Sequence, residues 1–267
     1  MSVERITSRK NPLLQQVKRL LSSRKERETT GLFVADGTKL LAEAVRYCPG
    51  LETVILSDGV EAEVPSPVRK VYVPEDVMES ISPMQSPQGA LFICRLPEKT
   101  PFEPKPGMLL LDGLQDPGNL GTILRTADAL EIPVVLLEGC ADPYSHKTVR
   151  ASMGAVFRSP VVSAPYQHVR QACAAAGISV AVTALSDQAV DLRSAPLQKM
   201  AVVIGSEGKG VRPEILEDAD CQLIIPMNPR CESLNASVAA AIVMWQMKGS
   251  APNVGALDLA GNPTGTQ

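Results

Sequence analysis

The chain has 267 residues, 45% of them apolar and 21% charged, with a net charge of −3. That length accommodates two domains at roughly 100–200 residues each, with the composition of a soluble globular protein. It excludes a membrane span, which needs a run of ~20 apolar residues, and argues against a uniformly basic nucleic-acid binder.

Aromatic residues are only 3% of the chain, so the core is expected to be aliphatic. Six cysteines stand at 48, 94, 140, 173, 221 and 231. None forms a C-x-x-C pair, and neither His146 nor His168 stands at zinc spacing from a cysteine pair. They read as buried thiols of a reducing cytoplasm, and no metal site is expected. The charged N-terminus lacks the apolar stretch of a secretory signal.

In chain order, the first thirty residues hold Arg5, Arg9, Lys10, Lys18, Arg19, Arg24, Lys25 and Arg27 against Glu4, Glu26 and Glu28. Leu13, Leu14, Val17, Leu20 and Leu21 recur at helical spacing, and Asn11 before Pro12 is a helix start. Basic residues fill the other face. Arg9, Lys10, Lys18 and Arg19 are candidate RNA contacts there; the alternative is a solvated helix face. Strands are predicted at 31–35, 51–56, 69–73 and 89–94, and helices at 39–46 and 74–81. This makes a small α/β domain over 1–97. Pro97, Pro101, Pro104 and Pro106 mark a semi-extended linker, placed at 98–106.

From 107 to 248 strands and helices alternate. Strands are predicted at 108–111, 134–137, 178–183, 200–204 and 223–226. Helices are predicted at 120–130, 148–157, 169–176, 213–217 and 237–247. Such alternation means a mostly parallel sheet covered on both faces. The Gly-, Pro- and Asn-rich stretch 249–267 reads as a disordered tail.

Three polar stretches follow strands of this second domain. The first, 111–127, contains Asp116-Pro117-Gly118-Asn119-Leu120-Gly121 and then Arg125. Asn119 and Arg125 are nearly two helical turns apart and can reach one cleft. An arginine in an Ala-, Leu- and Thr-rich helix needs an anionic or hydrogen-bonding partner, either a ligand or a salt bridge to Asp116 or Asp128. The second, Gly205-Ser206-Glu207-Gly208-Lys209-Gly210, has neither the dinucleotide nor the phosphate-loop spacing. Its glycines allow close backbone approach, and Glu207 is an acceptor in their midst. The third runs from Ile225 through Pro226 and Pro229 to Ser233-Leu234-Asn235-Ala236-Ser237, a strand end, a polar turn and a helix start with Ser233 as N-cap. Ligands of parallel sheets bind in crevices at the carboxyl ends of strands, where all three stretches lie.

These motifs, with Arg150-Ala151-Ser152-Met153-Gly154-Ala155 between the first two, resemble those of the SpoU/TrmH family of RNA ribose 2′-O-methyltransferases. The resemblance covers 108–248. The first domain, through Ile6-Thr7-Ser8, Asn11-Pro12 and Phe33-Val34 before Asp36-Gly37, resembles the family's substrate-binding module of ribosomal-protein-like α/β fold; Asp36 stands where Glu is more usual. The resemblance implies a C-terminal trefoil knot, S-adenosylmethionine as methyl donor, RNA as substrate, and a homodimer with its active site at the subunit interface.

By position, Asn119, Arg125, Glu207, Ser233 and Asn235 match the family's active-site residues. Gly205, Ile225 and Leu234 match its cofactor-binding residues, and Thr183 and Met227 join that candidate set. Arg150 joins the candidate RNA contacts. The implied reaction is in-line attack of a ribose 2′-OH on an activated methyl group, so the protein must mainly orient groups and accept a proton. The family's proposal of Arg125 as base is disfavoured by a guanidinium pKa above ~12; binding the adjacent phosphate and aligning the hydroxyl costs less. Ribosomal RNA is the expected substrate, with transfer RNA as alternative. Two other readings remain: an RNA-binding protein without catalysis, against which all five polar positions are present, and a nucleotide-dependent α/β enzyme, against which the glycine spacing is wrong.

Overall fold

The computed structural model describes residues 4–228 and 230–249, so the expected tail lies outside the described residues beyond Gly249. Its first half comprises β1 (Glu4–Arg5), α1 (Pro12–Ser22), α2 (Arg24–Thr30), β2 (Leu32–Asp36), α3 (Thr38–Tyr47), β3 (Leu51–Ser57), β4 (Arg69–Val73), α4 (Glu75–Ile81) and β5 (Ala90–Arg95). The strands form one sheet in the order β1-β4-β3-β5-β2. β1, β4 and β3 run parallel, and β5 runs antiparallel to both β3 and β2. The basic segment, read as one helix, is two. Ser23 ends α1 by donating its N–H to Arg19 O (2.9 Å), and its hydroxyl caps α2 by accepting from Glu26 N (3.2 Å).

The second half comprises β6 (Met108–Leu111), α5 (Pro117–Leu130), β7 (Val134–Leu136), α6 (His146–Ala151), α7 (Ala155–Arg158), β8 (Val162–Ser163), α8 (Tyr166–Ala175), β9 (Ser179–Thr183), β10 (Val190–Asp191), β11 (Met200–Ile204), α9 (Pro213–Asp218), β12 (Cys221–Ile224) and α10 (Ala236–Lys248). The sheet order is β10-β12-β9-β11-β6-β7-β8, and every pairing is parallel. β6, β9 and β11 are nearly all apolar, as strands buried on both faces must be. The helix predicted over 148–157 is broken. Met153 (φ 48°) and Gly154 (φ 89°) are left-handed and turn the chain between α6 and α7. A Cβ on Gly154 would stand 3.0 Å from Glu43 Cβ, so α3 closes on the break. Among the described residues no helix is long and apolar enough to cross a membrane.

The two sheets share a helical layer. α1 and α4 cover the outer face of the first sheet over Leu14, Val17, Ile55 and Val71. α8 and α9 cover the outer face of the second over Val169, Val180 and Ile215. Between the inner faces one continuous apolar cluster runs from Phe33, Leu41 and Phe92 to Leu109, Leu120, Val149 and Met244. Aromatic rings cross the junction: Phe33 lies 5.2 Å from Tyr144 and 6.3 Å from Phe157, centroid to centroid. Beside them Arg27, whose side chain is 6% exposed, bridges to Asp142 (13% exposed) at 2.6 Å and donates to Leu20 O. Arg158 holds Glu43 of the first half and Asp128 of the second.

A buried pair of this kind is costly to halve and cheap to replace whole. Asp142→Ala should therefore lower unfolding free energy by about 3–5 kcal/mol in urea titration. The double variant Arg27→Met with Asp142→Ala should recover most of that loss. If the single change costs less than about 1 kcal/mol, the pair does not hold the halves together.

Candidate active site

Each polar stretch leaves the carboxyl end of a strand and starts or approaches a helix. Asp116 caps α5, its Oδ1 accepting from Asn119 N at 2.7 Å, and Pro117 fills the first helical position. Asn119 thus lies in the first turn of α5, which starts three residues before the predicted 120. On the third stretch Asn235, rather than the expected Ser233, is the cap. Its Oδ1 accepts from Ser237 N (2.9 Å), Ser237 Oγ (2.6 Å) and Val238 N (3.3 Å) at the start of α10.

The three stretches meet at one side chain. Asn119 Nδ2 donates to Glu207 Oε1 at 2.8 Å, and Asn119 Oδ1 accepts from Asn235 Nδ2 at 3.0 Å. Three of the five residues singled out for catalysis are thereby joined in one chain of hydrogen bonds. Arg125 lies further along α5 with its side chain exposed, and it makes no ion pair among the described residues. Asp116 and Asp128, the internal partners weighed for it, are engaged elsewhere, in the α5 cap and with Arg158. Glu207 bonds to Asn119. Ser233 lies in the loop before α10 and faces the cleft described next.

The loops after β9, β11 and β12 enclose a cleft of about 590 Å³. Thr183, Gly205, Ile225, Met227 and Leu234, the five candidate cofactor residues, all line it, together with Leu185 and Ala239. A side chain at Gly205 has no room: its Cβ would stand 2.1 Å from Gly210 C and 2.3 Å from Gly210 O. The loop closes on itself at that point, with Ser206 and Gly210 exchanging backbone hydrogen bonds of 3.0 Å in both directions. The cleft has apolar walls at Leu185, Ile225, Leu234 and Ala239 and a rim of loop backbone with polar side chains, Glu207, Glu232 and Ser233 among them. That lining fits S-adenosylmethionine, whose adenine takes apolar contact and whose polar ends and sulfonium charge take polar partners. Among the described residues no three His, Cys, Asp or Glu side chains gather as a metal site would.

Sequence reading left Asp112 without a role. It directly follows β6, is 1% exposed, and accepts from Arg212 N (2.9 Å) and Arg212 Nε (2.6 Å). Arg212 also donates to Glu138 (2.7 Å), and these carboxylates hold its guanidinium pKa above the usual value against the opposing effect of burial. This tie fixes the far end of the 205–211 loop, while β11 fixes the near end. The only local signal was a charged residue closing an all-apolar strand; its partner lies a hundred positions away.

The candidate RNA residues are dispersed. Arg9 bridges to Asp76 (2.7 Å) and Arg19 to Glu26 (3.1 Å) on the first domain's surface. Lys10 and Lys18 make no ion pair among the described residues. Arg150 lies on α6 at the junction of the halves, 3.3 Å from Asp36.

Comparison with known proteins agrees with this geometry. The SpoU rRNA Methylase family matches residues 106–245, and the MRM3-like substrate binding domain matches 11–91. The 23S rRNA (guanosine(2553)-2′-O)-methyltransferase RlmP of Bacillus subtilis is 34% identical over 252 residues, spanning 92% of this chain and 100% of that protein. An AdoMet-bound rRNA methyltransferase from Sinorhizobium meliloti superposes with a TM-score of 0.80 at 30% identity, covering 92% of this chain and 97% of the other. An RNA methyltransferase structure assigned to the TrmH family, from Porphyromonas gingivalis, superposes with a TM-score of 0.74 at 33% identity, covering 88% and 96%. With its three strand-end loops joined at Asn119 beside the cleft, this chain belongs to the SpoU family of RNA methyltransferases.

Proposed function

We infer that the protein transfers the methyl group of S-adenosylmethionine to a ribose 2′-OH of ribosomal RNA. The observation that carries this reading is the joining of Asn119, Glu207 and Asn235 beside the cleft around Gly205. Ribosomal RNA is favoured because RlmP, aligned over its whole length, is a 23S rRNA enzyme by name. The division of labour proposed is that residues 1–97 bind RNA, 98–106 connect and 107–248 carry the chemistry; the family matches at 11–91 and 106–245 support it.

The cofactor supplies a methyl group already activated on a sulfonium. The protein's part is therefore orientation and charge. Gly205, Ile225 and Leu234 offer main-chain groups to the cofactor, with Thr183 and Met227 on the walls. Glu207 and Asn235 lock the Asn119 amide, so that the rim has one arrangement of donors and acceptors. Arg125, exposed and free of an internal carboxylate, is available to the phosphate beside the target ribose. In that position it aligns the hydroxyl and stabilises charge developing on its oxygen as the methyl is transferred and the proton passes to solvent water, while remaining a cation itself. Ser233 adds a hydroxyl at the cleft.

The working unit is proposed to be a homodimer. α10 buries Ala240, Val243, Met244 and Met247 against its own subunit, and turns Val238, Ile242 and Trp245 outward at helical spacing; Trp245 is 71% exposed. An apolar stripe on a helix next to α5 suits an isologous contact that would bring a second subunit to Arg125. A trefoil knot, with the chain after β12 threading an earlier loop before α10 packs on α5, is the reading of this strand order that family membership supports. A cytoplasmic location suits the six free thiols.

Arg125→Ala should lower turnover on a 23S rRNA transcript by about 10²–10³-fold while S-adenosylmethionine still binds, measured by calorimetry beside single-turnover methyl transfer. Unchanged turnover would remove Arg125 from the chemistry. Gly205→Val should instead abolish detectable cofactor binding, because the loop must open to admit the side chain. The pair Ile242→Glu and Trp245→Arg should convert the protein to a folded monomer in sedimentation; a dimer that persists would place the interface elsewhere.

A further inference from the structure

The cations crowded into the first thirty residues are largely neutralised in the folded chain. Arg5 pairs with Asp58, Arg9 with Asp76, Arg19 with Glu26, Arg24 with Glu28 and Arg27 with Asp142. A different positive surface lies where the two halves meet. α3 runs beside α6 and α7: Glu43 touches Gly154 and holds Arg158, and the Tyr47 ring lies 5.6 Å from the Arg158 guanidinium carbon. One turn back from Glu43 is Lys39. One turn back from Gly154 is Arg150, and a further turn back is Lys147. Arg150 reaches Asp36, three residues before Lys39, at 3.3 Å.

Lys39, Lys147 and Arg150 are all exposed, and neither lysine makes an ion pair among the described residues. Asp36 is buried, and its Oδ1 has no hydrogen-bond partner. Among the described residues no side chain caps α3, and the buried Gly37 before it faces the Gln88 side chain. Lys39 and Lys147 thus add positive charge to a junction where, among the described residues, Arg150 and Arg158 are matched by Asp36, Glu43 and Asp128. From this junction the path to the active site is short. α6 lies directly on the first turns of α5, where a Cβ on Gly121 would come within 2.5 Å of Thr148 O and Ala151 Cβ. Gly121 is two residues from Asn119 and one turn from Arg125.

We propose that Lys39, Lys147 and Arg150 form a track for the RNA sugar–phosphate backbone, leading the strand from the substrate-binding half to the methyl-transfer cleft. The inference rests on the rRNA reading above and assigns the junction, rather than the N-terminal helices alone, as the grip on the substrate. Phosphates take the cations.

The test compares the full-length protein, Lys39→Gln with Lys147→Gln, and Lys10→Gln with Lys18→Gln. Arg150 is left in place because it also ties the halves. Binding of an unmodified 23S rRNA transcript is measured from 50 to 200 mM salt. Each lost phosphate contact lowers the log–log salt slope by roughly 0.7–0.9. The junction variant should therefore lose about 1.5 from the slope, so that its affinity falls about eightfold less than wild type across that range. Its affinity for S-adenosylmethionine should stay unchanged. A slope equal to wild type overturns the track. Wild-type protein that binds the transcript but transfers no methyl group sinks the rRNA reading and leaves the track standing.

Discussion

Asn119 donates to one neighbouring loop and accepts from another, and the methyltransferase half is arranged so that it can do both. A primary amide has a fixed donor and a fixed acceptor on one carbon, so its two partners must approach from opposite sides. Glu207 can accept and Asn235 can donate, which fixes the orientation of the amide. Parallel pairing brings the strand ends to one edge. Asp116 sets Asn119 in the first turn of α5, and the self-closed 205–210 turn sets Glu207 opposite. Behind this turn the buried Asp112 carboxylate holds Arg212, so the loop is anchored at both ends. A mobile loop there would make Glu207 an occasional partner rather than a fixed one.

The glycines of the cofactor loop do different work. Gly205 is required by crowding: backbone fills the space its side chain would take. Gly210 is required by conformation, with φ at 69° and nothing near its missing Cβ. Gly208 meets neither condition. The motif G-x-x-G-x-G therefore combines a close contact and a turn rather than a cradle for phosphate.

Much of this was legible in the chain. Alternation of apolar strands with amphipathic helices gave the parallel sheet, and polar residues at strand ends marked the site, because both signals are local. What escaped were features set by distant partners. Ser233 and Asn235 are both good caps by residue type, and only the bonds that Asn235 Oδ1 accepts from Ser237 N and Val238 N show which one α10 uses. The break at Met153 and Gly154 arises where α3 packs on the chain, a contact across more than a hundred residues. The basic N-terminal segment was read by its own charges, yet Asp58, Asp76 and Asp142 come from elsewhere. The proline-rich segment marked a semi-extended linker between two domains and carried no sign of their contact, whereas Phe33, Tyr144 and Phe157 put both sheets around one apolar interior.

That common interior has a geometric consequence. A recognition module on a free tether samples many separations from its catalytic partner, and selects targets by affinity alone. Here the shared helical layer, locked by Arg27 with Asp142 and by Arg158 with Glu43 and Asp128, holds the separation constant. The protein then acts as a caliper. An RNA whose bound element and target ribose lie at the matching span meets both halves at once, while one with the same two elements at another span can satisfy only one of them.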